Sequence, residues 1–178
     1  MLIILDRDGV INEDSDAYIK SPDEWVPIPG SLETIGALTQ AGHTIVVATN
    51  QSGVARGLLS AETLQAIHDK LHRLIQAHGG RIDHIYVCPH SPDEQCRCRK
   101  PAPGLFEQIR IDYPLLFETA ITIGDSWRDL EAAHAAGCHQ LYLVLTGKGS
   151  REVQKTHALQ SQVHIVSSLA AVFNNIFD

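Results

Sequence analysis

Basic residues are scarce in this chain, and the scarcity narrows what it can do. Lys and Arg number 14 against 21 Asp and Glu, a formal net charge of −7 over 178 residues. A field of that sign repels polyanions, so binding nucleic acid through a general basic surface is excluded. The same field works against any anionic substrate, so a phosphate site has to be built locally, from a metal and a few Lys or Arg. Long apolar runs are missing as well. None approaches the roughly 20 residues that span a bilayer, so no membrane association is expected. Met1 leads straight into Leu2–Leu5 with no basic segment or long apolar stretch, so no export signal is expected and a cytoplasmic location is. Cysteine is limited to four, which in a reducing compartment are thiols or metal ligands and not a disulfide frame. Internal repeats and low-complexity segments are absent.

What the chain does have is apolar content, 44%, sufficient for one core, so residues 1–178 are expected to form one domain with at most a small insertion. Short apolar runs alternate with amphipathic stretches. Strands are expected at Leu2–Leu5, His43–Ala48, Ile82–Val87, Ala120–Ile123, Leu141–Leu145 and Val163–Val166. Helices are expected over Ser31–Gln40, from an N-cap at Ser60 through Ile75, from Pro103 through Ile109, over Leu130–Ala136 and over Leu169–Ile176. Such alternation predicts an α/β fold: a doubly wound parallel sheet, Rossmann-like, with helices on both faces and no large cap domain. In such sheets chemistry sits beyond the carboxyl ends of the strands. The residues there are Asp6 and Asp8, Thr49 and Asn50, Cys88, and Asp125.

Asp6-Arg7-Asp8-Gly9 follows a buried strand, and two carboxylates one residue apart on extended backbone can face the same side. Asp125 follows another strand. Three acids meeting at one sheet edge repel each other unless a cation lies among them, and hard oxygen ligands suit Mg²⁺. One Asp can attack phosphorus while the other protonates the leaving oxygen and then deprotonates water.

Leu5–Gly9 resembles the first motif of the haloacid dehalogenase-like hydrolases. Thr49 resembles their second, Lys100 their third, and Gly124-Asp125 with Asp129 their fourth. The resemblance implies that Asp6 is the nucleophile and Asp8 the general acid/base. It implies that Thr49 and Lys100 hold the transferring phosphoryl group, and that Mg²⁺ is bound by Asp6, Asp8 (through its carbonyl) and Asp125. Asp129 has two readings: a group behind the metal ligands, or an acid in the first turn of a helix, where the dipole favours it.

Cys88, His90, Cys96 and Cys98 place three sulfurs and an imidazole within residues 88–98, after the third strand. Soft donors in that number suit tetrahedral Zn²⁺, and a closed site is structural, not catalytic. Arg99-Lys100 follows directly, so the metal would fix the loop that carries both cations. Two groups of the family carry such a loop, the heptose bisphosphate phosphatases of lipopolysaccharide precursor synthesis and the histidinol-phosphate phosphatases. Asp6–Asn12 (DRDGVIN), Thr49–Gly57 (TNQSGVARG), Cys96–Pro101 (CRCRKP) and Thr146–Lys148 are similar to the former. Two features depart from it: the short His90–Cys96 loop, closer to the latter, and Ser126, where heptose enzymes carry Lys. The resemblance implies a monomeric phosphatase for the 7-phosphate of a heptose 1,7-bisphosphate. Substrate contacts would come from Asp14, Ser15, Asp16, Ala17, Tyr18, Asn50, Gln51, Ser52 and Arg99. Histidinol phosphate, or a non-catalytic phosphosugar- or zinc-binding role, is the alternative.

Other signals carry less. His68 and His72 read as a solvated helix face. Lys148, between two glycines, lacks the P-loop spacing and reads as a turn. Cys138 reads as a small core residue, and Trp25 as packing on the sheet.

Overall fold

The computed structural model describes residues 1–177. The strands are β1 (Leu2–Leu5), β2 (Thr44–Asn50), β3 (His84–Cys88), β4 (Ile121–Gly124), β5 (Gln140–Val144) and β6 (Val163–Val166). They form one parallel sheet in the order β3-β2-β1-β4-β5-β6. The order reverses between β1 and β4, so a crevice opens at their carboxyl ends.

Strand residues alternate between two cores. Ile3, Leu5, Ile45, Val47, Ile121 and Ile123 pack against α1 (Ser31–Gln40), α2 (Ala61–Ala77) and α7 (Leu169–Phe177). Leu2, Ile4, Val46, Ala48, Leu141 and Leu143 pack against α3 (Gly104–Asp112) and α5 (Trp127–Ala135). Strands buried on both faces read as continuous apolar runs, which is why they stand out in the sequence. α1 and β6 have the expected bounds. Ser60 caps α2 by accepting the Thr63 N–H at 3.1 Å. Trp25 and Cys138 are buried in the two cores.

Two expectations change. α5 begins a turn earlier than Leu130, because the Ser126 N–H donates to Asp129 Oδ2 at 3.1 Å and closes the first turn. The stretches before β4 and after β5 are not bare turns: α4 (Pro114–Phe117) precedes β4 and α6 (Gly149–Glu152) follows β5, both short helices, and Lys148 sits at the start of α6.

Candidate active site

Asp6 leaves β1 with its N–H bonded to the Ile123 carbonyl at 2.9 Å, which ties it to β4 across the switch point. Asp125 follows Gly124, the last residue of β4. The carboxylates of Asp6, Asp125 and Asp129 are all buried, with ligand oxygens within 4.8 Å of one another. Glycines make the space: a Cβ on Gly9 would lie 2.0 Å from Asp125 Oδ2, and one on Gly147 would lie 2.2 Å from the same atom. Both have positive φ, so a side chain there is excluded twice over. The Lys148 N–H donates to Asp125 Oδ2 at 2.8 Å, and Thr146 Oγ1 donates to the Gly9 carbonyl at 2.6 Å. The loop after β5 thus clamps the loop after β1.

Lys100 is the buried cation of this cluster. Its Nζ lies 2.9 Å from Asp6 Oδ1, 2.7 Å from Asp129 Oδ1 and 2.7 Å from the Ala48 carbonyl. Asn50 fixes the backbone behind it, donating to the Lys100 carbonyl at 3.0 Å and accepting the Lys100 N–H at 3.1 Å. Asp129 therefore satisfies both of its readings, first-turn acid and partner of the site. Burial pushes the Asp6 carboxyl up to about 6 against the pull of Lys100. Burial, then the charges of Asp129 and Asp6, push Asp125 up to about 8. Crowded carboxylates displaced in this way call for a divalent cation.

Asp8 does not join that cluster. Its carboxylate accepts from Arg7 Nη2 at 2.9 Å, Asn12 Nδ2 at 2.8 Å and Gln51 Nε2 at 2.9 Å. Burial would raise its pKa, but the Arg7 charge and these donors outweigh it and hold the carboxyl low. Arg7 is fully buried and also bonds Gln51 Oε1 and His68 Nε2, each at 3.1 Å. This corrects the reading of His68: it lies on the buried face of α2, while His72 is exposed. Burial, then the Arg7 charge, push His68 down to about 4, so its imidazole is neutral and accepts from the guanidinium. Thr49 is buried, its hydroxyl accepting from Gln51 Nε2 at 2.8 Å.

Above these groups lies a cleft of about 170 Å³. Asp14, Ser15, Asp16 and Tyr18 line one side, and Asn50, Gln51 and Ser52 another. Arg99 and Lys100 come from below the Cys/His loop. Ala17 is exposed and is not among the lining residues. Tyr18 has a φ of 65°, a left-handed conformation that costs a bulky residue energy and recurs at ligand clamps. Arg128 and Lys148 also line the cleft: Lys148 reads from the sequence only as part of a turn, and nothing in the sequence marks Arg128. Lys148 Nζ pairs with Asp14 Oδ2 at 2.8 Å.

At the end of β3, Cys88, His90, Cys96 and Cys98 converge, with ligand atoms within 4.8 Å. The sulfurs lie 2.9 to 3.6 Å apart, and His90 Nδ1 is 3.2 Å from Cys98 Sγ. Those distances exceed the ~2.05 Å of a disulfide. They fall at or inside the ~3.8 Å edge of a tetrahedron with metal–sulfur bonds of ~2.3 Å. The His90 carbonyl accepts from Arg99 Nη1 at 3.2 Å, so the cluster and the cleft share a backbone.

A doubly wound sheet with carboxylates and a lysine gathered at its switch point defines a hydrolase of phosphate esters. Comparison with known proteins agrees. The HAD-hydrolase-like family model matches residues 97–172, and the polynucleotide kinase 3 phosphatase model matches residues 2–128. A D-glycero-β-D-manno-heptose-1,7-bisphosphate 7-phosphatase of Bordetella bronchiseptica is 53% identical over 96% of this chain and 94% of its own. One from Pseudomonas putida is 52% identical over 96% of each chain. The crystal structure of the B. bronchiseptica D,D-heptose 1,7-bisphosphate phosphatase, complexed with magnesium and phosphate, superposes with a TM-score of 0.94 at 51% identity. That match covers 98% of this chain and 97% of the other. The chain belongs to the heptose-1,7-bisphosphate 7-phosphatase family of HAD-like hydrolases, and it is a phosphatase. Among the described residues no helix is long and apolar enough to cross a membrane.

Proposed function

We infer that this chain, acting as one catalytic domain, hydrolyses the 7-phosphate of D-glycero-β-D-manno-heptose 1,7-bisphosphate, a step toward lipopolysaccharide core precursors. The carrying observation is Lys100 Nζ, a buried cation 2.9 Å from the Asp6 carboxylate and 2.7 Å from that of Asp129. It stands where negative charge would build up as Asp6 attacks phosphorus. The substrate follows from the likeness to the two relatives.

Asp6 is the nucleophile and becomes an acyl phosphate as the sugar oxygen leaves. Asp8 gives that oxygen its proton, then takes one from the water that attacks the acyl phosphate. Arg7, Asn12 and Gln51 aim Asp8, and in holding it ionised they favour the second of these two roles. Thr49 and Lys100 bind the transferring phosphoryl oxygens. Asp14, Ser15, Asp16, Tyr18, Asn50–Ser52 and Arg99 surround the sugar. Asp6, Asp125 and the Asp8 carbonyl would hold Mg²⁺, and their displaced carboxyls fit such an ion. When bound, Mg²⁺ neutralises phosphate oxygens and screens the acids from one another. Cys88, His90, Cys96 and Cys98 would hold Zn²⁺ in a closed, structural site.

The test is phosphate release from heptose 1,7-bisphosphate, histidinol phosphate and fructose 1,6-bisphosphate, each with Mg²⁺ and with EDTA. The heptose should lead by orders of magnitude in kcat/KM, and EDTA should abolish it. A lead by histidinol phosphate would overturn the substrate while leaving the chemistry.

A further inference from the structure

In a chain of net charge −7, four cations line one cleft: Arg99, Lys100, Arg128 and Lys148. Three are committed. Lys100 is held by Asp6 and Asp129, Lys148 by Asp14, and Arg99 donates to the His90 carbonyl. Arg128 is different. Its Nε is buried without a hydrogen-bond acceptor, and its guanidinium has no ion-pair partner among the described residues. The acids near it lend it their field without accepting a hydrogen bond.

A buried charged donor left unsatisfied is costly, and native structures supply an acceptor or a ligand. The Arg128 backbone is held in place. It belongs to the first turn of α5, whose neighbours are fixed by Trp127 Nε1 donating to the Glu152 carbonyl at 2.8 Å and by Asp129 on Lys100. Arg99 feels the Arg128 charge across the same space, a repulsion that an intervening anion would relieve. Ser126 adds no charge here, since its hydroxyl turns away to Glu152 at 3.4 Å. The donor fork of a guanidinium matches a phosphate bidentately.

We propose that Arg128, opposite Arg99, seats the second phosphate of a bisphosphate substrate, the one that is not hydrolysed, and so determines specificity for bisphosphates. The assignment rests on the proposed bisphosphate substrate. The transferring phosphoryl already has Lys100; the far end of the substrate is where a further cation is needed.

The experiment measures kcat and KM with Mg²⁺ for heptose 1,7-bisphosphate and for heptose 7-phosphate, which carries the same scissile ester without the second phosphate. Wild type, Arg128→Gln and Arg128→Lys are compared, with thermal unfolding to verify folding. Wild type should strongly prefer the bisphosphate. Arg128→Gln should lose about 10- to 100-fold in kcat/KM on the bisphosphate, chiefly through KM, and under about threefold on the monophosphate. Arg128→Lys should recover part of the loss, having the charge without the fork. An equal loss on both sugars would move Arg128 to the transferring phosphoryl and overturn the proposal, as would a preference that Arg128→Gln leaves intact. A wild type with no preference for the bisphosphate would instead overturn the substrate reading, and the role of Arg128 with it.

Discussion

The two polar clusters of this molecule are assembled in opposite ways. Asp6, Asp125 and Asp129 come from opposite halves of the chain and meet only because β1 and β4 are neighbours. Cys88 ends β3, and His90, Cys96 and Cys98 follow on the one adjoining loop, whose regular structure is the short turn Pro92–Glu94. The first cluster has an internal cation, Lys100, and sits in a rigid buried frame. The second has none: Arg97 is exposed and committed to Glu107 at 2.9 Å. The carboxylates should therefore keep their arrangement without a metal and lose chemistry, whereas the thiol loop should lose its arrangement.

The sharpest break of that comparison is at the nucleophile. Asp6→Asn should lower turnover by about 10³-fold or more, as loss of a covalent nucleophile does elsewhere. Thermal stability should hold or rise, because one of several crowded carboxylates is neutralised while Lys100 keeps Asp129. Phosphate release and a melting curve on the same sample decide it; normal activity with Mg²⁺ would sink the assignment. Lys100→Met should cost about 10²–10³-fold in kcat. Here stability should fall too, by about 3–5 kcal/mol, because Asp6 and Asp129 are left buried without their partner. Opposite stability responses from two neighbouring residues are what a purely catalytic or purely structural cluster would not give.

At the thiol loop the balance should invert. Cys96→Ser should reduce bound zinc well below one per chain by metal analysis and lower the melting temperature by several degrees, at about 2–4 °C per kcal/mol for a chain of this size. Activity should fall by only about 10-fold, through slackening of the Arg99–His90 tie. Protein purified without chelator and free of zinc, yet equally stable, would refute the structural role.

The same contrast explains what could be read from the sequence. The thiol cluster is local, so its spacing alone displays it. The carboxylates are legible because each follows an apolar run, and strands buried on both faces make those runs continuous. What escaped has its reason elsewhere in the chain. His68 sits on a helix like any surface histidine; only the guanidinium of Arg7, 61 residues away, draws it inward. Arg128 looks like a solvated charge and Lys148 like part of a turn, and their place over the cleft depends on how α5 and the loop after β5 pack. The four-residue helices α4 and α6 are too short to show a period. Gly9 shows in the sequence as the end of the Asp6–Gly9 motif, but that its missing Cβ makes room for Asp125 is a fact of the switch point alone.

The smallest expected effect tests the carboxylate cluster without its chemistry. Asp125, at about 8 in the fold against an ordinary 3.8, is displaced upward, first by burial. A carboxyl raised on folding favours the fold when protonated. Its contribution is complete below its unfolded value and is lost as pH rises through the folded one. In EDTA, stability from this group should therefore drain away between about pH 4 and pH 8. Mg²⁺ binds the ionised form, so it should restore what ionisation removes. The rise in melting temperature caused by Mg²⁺ should be near zero at the acid end of that window, grow across it and level off above it. Asp125→Asn, which cannot ionise, should flatten the EDTA curve and abolish most of the Mg²⁺ increment. An Mg²⁺ increment independent of pH would mean that the ion is held by groups other than this crowded set.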